Sequence, residues 1–123
     1  MQDGSDFDYR FYFERMDVYR VAREFLGWVH GGLFRRLPRG YSTEKDQLHR
    51  AALSVLLNIA EGAEQETWGL KRKHYRIARA SAGECAAVLD ALSAMGVRQT
   101  SVGERLVRRL GAMLNKLSRR EPP

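Results

Sequence analysis

Apolar residues recur at steps of three and four along almost the whole chain, the period of one face of an α-helix. In the first run Val18, Val21, Ala22, Phe25, Leu26, Val29 and Leu33 share a face, which predicts a helix over about residues 14–36 that ends before Pro38 and Gly40. Gly27, Gly31 and Gly32 weaken it by up to roughly 1 kcal/mol each relative to alanine, and mark either a close helix contact or fraying. A second helix is expected over about 43–62, with Ser42 or Thr43 as N-cap and Glu44 and Asp46 in a first turn that favours negative charge. Thr67 caps a third over about 68–95, which stops at Gly96; its core face reads as Leu70, Ile77, Ala78, Val88, Leu89, Leu92 and Met95. Ser101-x-x-Glu104 has the spacing of a capping box and opens a fourth over about 102–118, with Leu106, Val107, Leu110, Met113, Leu114 and Leu117 inward. Four helices joined by short loops make an all-α, antiparallel, up-down-up-down bundle over residues 13–118. Residues 1–12 are acidic and then aromatic (Phe7, Tyr9, Phe11, Tyr12), and read as a tail that docks on an apolar surface or frays; 119–123 form a second tail. The alternation from Phe7 to Phe13 is the one strand-like pattern.

The second helix has unequal faces. Gln47, Arg50, Ser54, Asn58 and Glu61 fall on one narrow polar stripe, and apart from His49 the rest from Leu48 to Ala60 is apolar or alanine. That apolar arc covers roughly two-thirds of the circumference, where a surface helix needs only about 100°. In so short a chain, part of the cover is expected from further copies of itself. On the third helix His74, Ser81, Glu84 and Cys85 project on the core face or its edge. A buried polar group left unpaired costs about 1–3 kcal/mol. Gln47, Arg50, Ser54, Asn58, Glu61, His74, Ser81 and Glu84 are therefore expected to form a hydrogen-bonded network between helices two and three, with Arg50 paired to a carboxylate. Such a network fixes helix register or subunit packing; the sharper alternative is a ligand pocket.

The same stretch, Gln47-x-x-Arg-Ala-Ala-x-Ser-Val-x-x-Asn-Ile-Ala-Glu-Gly62, resembles the signature of the four-helix-bundle proteins encoded in intervening sequences of bacterial 23S ribosomal RNA genes. Tyr75-Arg-Ile-Ala-Arg-Ala-Ser-Ala-Gly-Glu84 is similar to a second block of that family, with Ala80 where the family usually has glycine. The likeness runs from about residue 13 to 117. The family in turn resembles the accessory proteins of diversity-generating retroelements, which assist a reverse transcriptase and form pentameric barrels. The resemblance therefore implies a homo-oligomer, with five as the copy number, and a reverse transcriptase among the protein partners to consider.

The chain has 123 residues, 44% of them hydrophobic and 29% charged, which suits one globular domain. No apolar run approaches the ~20 residues that cross a bilayer, and an N-terminus holding Asp3, Asp6 and Asp8 is unlike a signal peptide. With a lone Cys85, these features point to a bacterial cytoplasmic protein without a membrane role. Net charge is +6 and unevenly placed. Up to Thr67, nine Lys and Arg stand against eleven Asp and Glu (−2); from Trp68 onward, twelve stand against four (+8). A basic second half suits an anionic partner, nucleic acid or an acidic protein, or is simply a solvated face.

Lys71, Arg72, Lys73, Arg76 and Arg79 on helix three, with Arg105, Arg108, Arg109 and Lys116 on helix four, suit a phosphate backbone, because the arginine fork engages phosphate oxygens in a bidentate way. Trp68, His74 and Tyr75 lie near the basic run and are candidates to stack on bases, but for Trp68 the preferred reading is a packing role at a helix start. Catalytic and metal chemistry find little support. Asp46-x-x-His49 has no counterpart on helices three and four, as a di-iron bundle requires. Cys85, His74 and His49 lack zinc-ligand spacing, and a lone core cysteine is usually a small hydrophobe. The expected function is a non-enzymatic, cofactor-free scaffold that binds nucleic acid, RNA first. A protein-interaction adaptor is the alternative, and a small-molecule binder a more distant third.

Overall fold

The first amphipathic run forms a long helix that changes its winding part-way. In the computed structural model, which describes residues 4–119, it is α-helical over Asp17–Trp28, π-helical over Val29–Leu33 and α-helical again over Phe34–Arg36; this whole run is α1. Three helices follow: α2, Ser42–Ala63; α3, Trp68–Ala94; and α4, Ser101–Arg119. Two short 3-10 turns, Gly4–Asp8 and Tyr12–Arg15, precede them, and no strand occurs among the described residues. The aromatic alternation expected to be strand-like is thus helical at both ends. Phe7, Tyr9, Phe11 and Tyr12 are exposed, and the segment is tied to α2 where Phe13 N donates to Glu64 Oε2 at 3.1 Å. The outermost parts of both expected tails, 1–3 and 120–123, lie outside the described residues.

Each helix lies beside its neighbours in sequence, and α1 closes the ring against α4. The directions follow from particular contacts. His30 meets His49 while Phe13 reaches Glu64, so α1 and α2 run antiparallel. Ser54 meets Ser81 while Asn58 meets His74, and Arg72 meets Ser118 while Arg79 meets Asn115, so the next two pairs do the same. The centre is filled by Phe25, Leu33, Leu48, Ile59, Leu89, Leu92, Leu110 and Leu114, all fully buried. Four helices in this order make the bundle that the sequence implies.

The π stretch sits where two consecutive glycines lower the cost of distortion. Phe34 N bonds to Val29 O, five residues back, and Val29 and Leu33 both stay in the core. Gly27 and Gly31 have open space beside them, so they serve no close helix contact; a Cβ on Gly32 would crowd the Trp28 ring at 3.1 Å. That indole instead crosses to α4, where a methyl at Gly103 would overlap it. On the other side of the bundle, a Cβ at Gly62 would sit 2.7 Å from Tyr75 Cε1. Gly62 and Gly103 are therefore the two places where side-chain absence permits helix contact.

Helix ends follow local chemistry. Thr67 Oγ1 accepts from Leu70 N at 3.3 Å as the cap of α3. Gly96, with φ +98°, ends that helix, and Val97 N returns to Leu92 O at 2.9 Å in a Schellman-type closure. Two expectations need correction. Ser42 is the first residue of α2 and Tyr41 occupies its cap without a side-chain bond. Ser101 is likewise the first residue of α4, so it does not cap a box with Glu104; buried Thr100 precedes it, and its carbonyl accepts from Glu104 N.

The core face of α3 also differs from its expected composition. Tyr75, Ala78, Ala82, Cys85, Leu89 and Leu92 are buried, whereas Leu70, Ile77 and Met95 are 40–48% exposed. Small residues take the core where α2 and α3 approach closely. The large aliphatic ones lie about 100° round the helix from that line, on the side toward α2.

Candidate nucleic-acid interface

Helix α3 presents polar side chains into two grooves of different character. Toward α2 they are matched to one another. Asn58 Nδ2 donates to Ser54 O at 3.0 Å and to Ser54 Oγ at 3.2 Å, and Ser54 Oγ lies 2.8 Å from Ser81 Oγ. His74 Nδ1 is 3.0 Å from Asn58 Oδ1 and 3.4 Å from Glu61 Oε2. Both of those are acceptors, so Nδ1 carries the proton and donates. Ser54, Asn58, Glu61, His74 and Ser81 are thus brought together, with Gly62 and Tyr75 closing the end of the groove. Gln47, Arg50 and Glu84 stay outside and exposed. Arg50 has a carboxylate partner, but it is Asp46 on its own helix at 3.3 Å.

Toward α4 the side chains are cationic. Arg72 Nε donates to Ser118 O at 2.9 Å, and Arg79 Nη1 donates to Asn115 Oδ1 at 3.1 Å. Ser118 Oγ lies 3.5 Å from Arg79 Nη1. These bonds lash the start of α3 to the end of α4 and hold two guanidinium groups in place. Beside them open two adjoining cavities. One, of about 390 Å³, is lined by Trp68, Gly69, Arg72, Lys73 and Arg76. The other, of about 330 Å³, is lined by Arg72, Arg76, Arg79, Ser118 and Arg119. Arg72 and Arg76 belong to both, and no described carboxylate lines either.

The model of the 23S rRNA-intervening sequence protein family matches residues 14–119, the whole bundle. The chain belongs to that family. No curated protein matches it. Within the pattern from Gln47 to Gly62, Ser54, Asn58 and Glu61 supply α2's side of the hydrogen-bonded groove, Gly62 makes the close contact at Tyr75, and Ala51, Ala52, Val55 and Ile59 face the core.

The basic residues singled out in the sequence therefore separate into groups. Arg72, Arg76 and Arg79 line the α3–α4 groove, with Lys73 at its edge. Lys71 turns the other way and donates from Nζ to Ala63 O at 2.9 Å, tying the α2–α3 connection. Arg105, Arg109 and Lys116 are exposed on the side of α4 opposite buried Val107, Leu110 and Leu114, and Arg108, also exposed, lies nearer the α3 side. Tyr75 is only 4% exposed and its hydroxyl pKa is raised by burial and then by Glu64, so it offers no ring to a base. Arg119 is legible only as one more cation on the outer side of α4, and Ser118 and Asn115 were not legible as part of this region, because their roles depend on which helix end they meet.

Other reactive groups are withdrawn or paired. Cys85 is fully buried, and burial, then the nearby Glu84 charge, pushes its thiol up to about 12, which keeps it protonated. His30 Nε2 and His49 Nδ1 lie 2.9 Å apart between the π stretch and α2, and burial followed by the His49 charge lowers the pKa of His30. Among the described residues no group of three or more His, Cys, Asp and Glu is placed to hold a metal ion, and no helix is long and apolar enough to cross a membrane.

Proposed function

We propose that this protein is a non-enzymatic, cytoplasmic scaffold that assembles with copies of itself and binds nucleic acid, RNA first, through the basic faces of α3 and α4. One observation carries the reading: the α3–α4 groove gathers Arg72, Arg76, Arg79 and Arg119 around two adjoining cavities without a described carboxylate. Cations gathered in a cleft that no described acid lines are expected to draw their counter-charge from outside. A phosphate backbone supplies that charge repeatedly, and guanidinium forks fit its oxygens. Arg105, Arg108, Arg109 and Lys116 extend the positive field over α4. Binding of this kind tolerates many sequences and weakens steeply with salt.

Assembly is supported by what α2 and α3 leave uncovered. Leu57, Leu70 and Ile77 are 40–47% exposed, large aliphatic residues beside the polar groove that a further copy of the chain could cover. The likeness to retroelement accessory proteins makes five the copy number we propose. A ring would repeat the basic groove and raise avidity without new contacts. The same apolar surface, with exposed Phe7, Tyr9 and Tyr12, favours the second reading: an adaptor that docks a protein partner, such as a reverse transcriptase.

Light scattering on purified protein, before and after nuclease treatment in high salt, separates these readings. The expected result is an oligomer that resists nuclease while its ultraviolet absorbance ratio falls. A monomer would remove the assembly claim. Failure of wild type to retain RNA at low salt would end the nucleic-acid reading, and an acidic protein co-purifying from the native host would favour the adaptor. Where RNA is retained, Arg105→Glu with Arg108→Glu is expected to lower retention and leave assembly intact.

A further inference from the structure

The basic groove has an aromatic end, and that end bears on which form of nucleic acid fits. We infer, resting on the proposal that the α3–α4 groove binds nucleic acid, that the cavity bounded by Trp68, Arg72 and Arg76 takes an unpaired base together with its phosphate, so that single strands are preferred to duplex. Trp68 is the first residue of α3 and half-buried, and it lines the cavity of about 390 Å³ together with the two arginines. Positions 68, 72 and 76 follow at intervals of four, so they stand along one side of the helix at steps of ~6 Å. The indole and the guanidinium groups therefore form a row.

The surroundings hold the helix start and Arg72 in place. Thr67 Oγ1 caps the helix start at Leu70 N, and Lys71 Nζ anchors the same turn to Ala63 O. Arg72 spends only its Nε on Ser118 O, which fixes the guanidinium plane and leaves the two terminal nitrogens to engage a phosphate. Arg76 has no hydrogen bond or ion pair among the described residues. Gly69 has open space where a side chain would stand, so nothing from that position fills the cavity beside Trp68. Trp68 thus serves as a wall of a basic cavity in addition to its place at the helix start.

In a duplex each base is paired and its faces are covered by its neighbours, so an aromatic ring in a cleft meets only the backbone. An unpaired strand can turn a base onto the indole while its phosphate meets Arg72 or Arg76. Such stacking accepts any base, since every base has a π-face. The second cavity, which shares both arginines, continues the cationic path toward Arg79 and Arg119.

Fluorescence anisotropy of the full chain at low salt tests this, with a labelled polyuridine strand, an abasic strand of equal charge, and a duplex of equal length. Trp68→Ala should weaken polyuridine binding about tenfold and change duplex and abasic binding by less than about twofold. Trp68→Phe should recover most of the loss. Thermal melts of both variants check that the bundle is intact. Equal weakening for all three ligands, or no effect of Trp68→Ala on polyuridine, would overturn the base-stacking inference while leaving the groove's electrostatic role standing. Absence of binding by wild type to any of the three would overturn both.

Discussion

The two grooves that flank α3 use polar side chains in opposite ways. Toward α2, donors and acceptors are balanced: Ser54, Asn58, His74, Glu61 and Ser81 pair among themselves. Toward α4, donors are in excess. Arg72 and Arg79 are met by neutral oxygens of Ser118 and Asn115, and Arg76 stands beside them without an acid among the described residues. The number of polar groups at a helix interface therefore says little about function. What separates a structural groove from a receptive one is whether its charge and hydrogen bonds are already matched within the chain. The matched groove is expected to serve the fold, and the unmatched one to receive an outside anion.

This contrast can be broken by perturbing each side. The largest effect on stability is expected from Gly62→Ala, because the new methyl would sit 2.7 Å from Tyr75 Cε1 in the closed groove. Overpacking of this kind costs about 1–3 kcal/mol, read by denaturant unfolding, while affinity for nucleic acid per folded molecule stays unchanged. Next comes Asn58→Ala, which removes the partner of His74 Nδ1 and of Ser54. A loss of about 1–2 kcal/mol is expected for these half-buried groups. If ligand binding fell with no loss of stability, the groove would be a site instead of a clasp.

A pH series extends the comparison. The folded-state pKa values of Cys85 and Tyr75 are both raised, so each contributes stability that is complete below its unfolded-state value and is lost as pH rises through the folded one. For Cys85 that window runs from its ordinary 9.0 to about 12. Melting temperature should fall across it, and fall less steeply in Cys85→Ala. His30 shifts the other way: its lowered pKa gives stability that is present above 6.5 and declines as pH falls below it. The smallest effect is expected from Arg50→Ala. Its ion pair with Asp46 is exposed on both sides, and such a pair contributes about 0–0.5 kcal/mol. A larger loss by unfolding would mean that Arg50 belongs to the matched groove or to an interface.

The helices were legible in the sequence because their punctuation is local. Thr67 and Gly96 mark the ends of α3 by their own backbone and side-chain chemistry, and the expected bounds differ from the observed ones by at most three residues. Which face of α3 turns inward was less legible. Leu70 and Ile77 outweigh Ala78, Ala82 and Cys85 on any hydrophobic measure, yet the small residues take the side of α3 that faces the bundle centre, and the close approach at Gly62 is met by Tyr75 and His74. The polar groove was readable in part. Ser54, Asn58, Glu61, His74 and Ser81 carry its bonds, whereas Glu84 lies too far round the helix and Gln47 and Arg50 are exposed. For the basic groove, the stripe Arg72, Arg76 and Arg79 was visible in the spacing. Its acceptors on α4 and the anchoring turn of Lys71 were not, since they exist only once the helix ends meet.

If the α3–α4 groove meets phosphate through unmatched cations, RNA affinity must depend on salt, and a salt titration measures that dependence. Wild-type protein and Arg76→Ala would be compared by anisotropy over a range of ionic strengths. The expected result is a linear fall of log affinity with log salt, and a slope shallower by roughly 0.7–0.9 for each phosphate that the variant no longer engages. Affinity that ignores salt, or a slope and affinity unchanged by removal of Arg76, would contradict it.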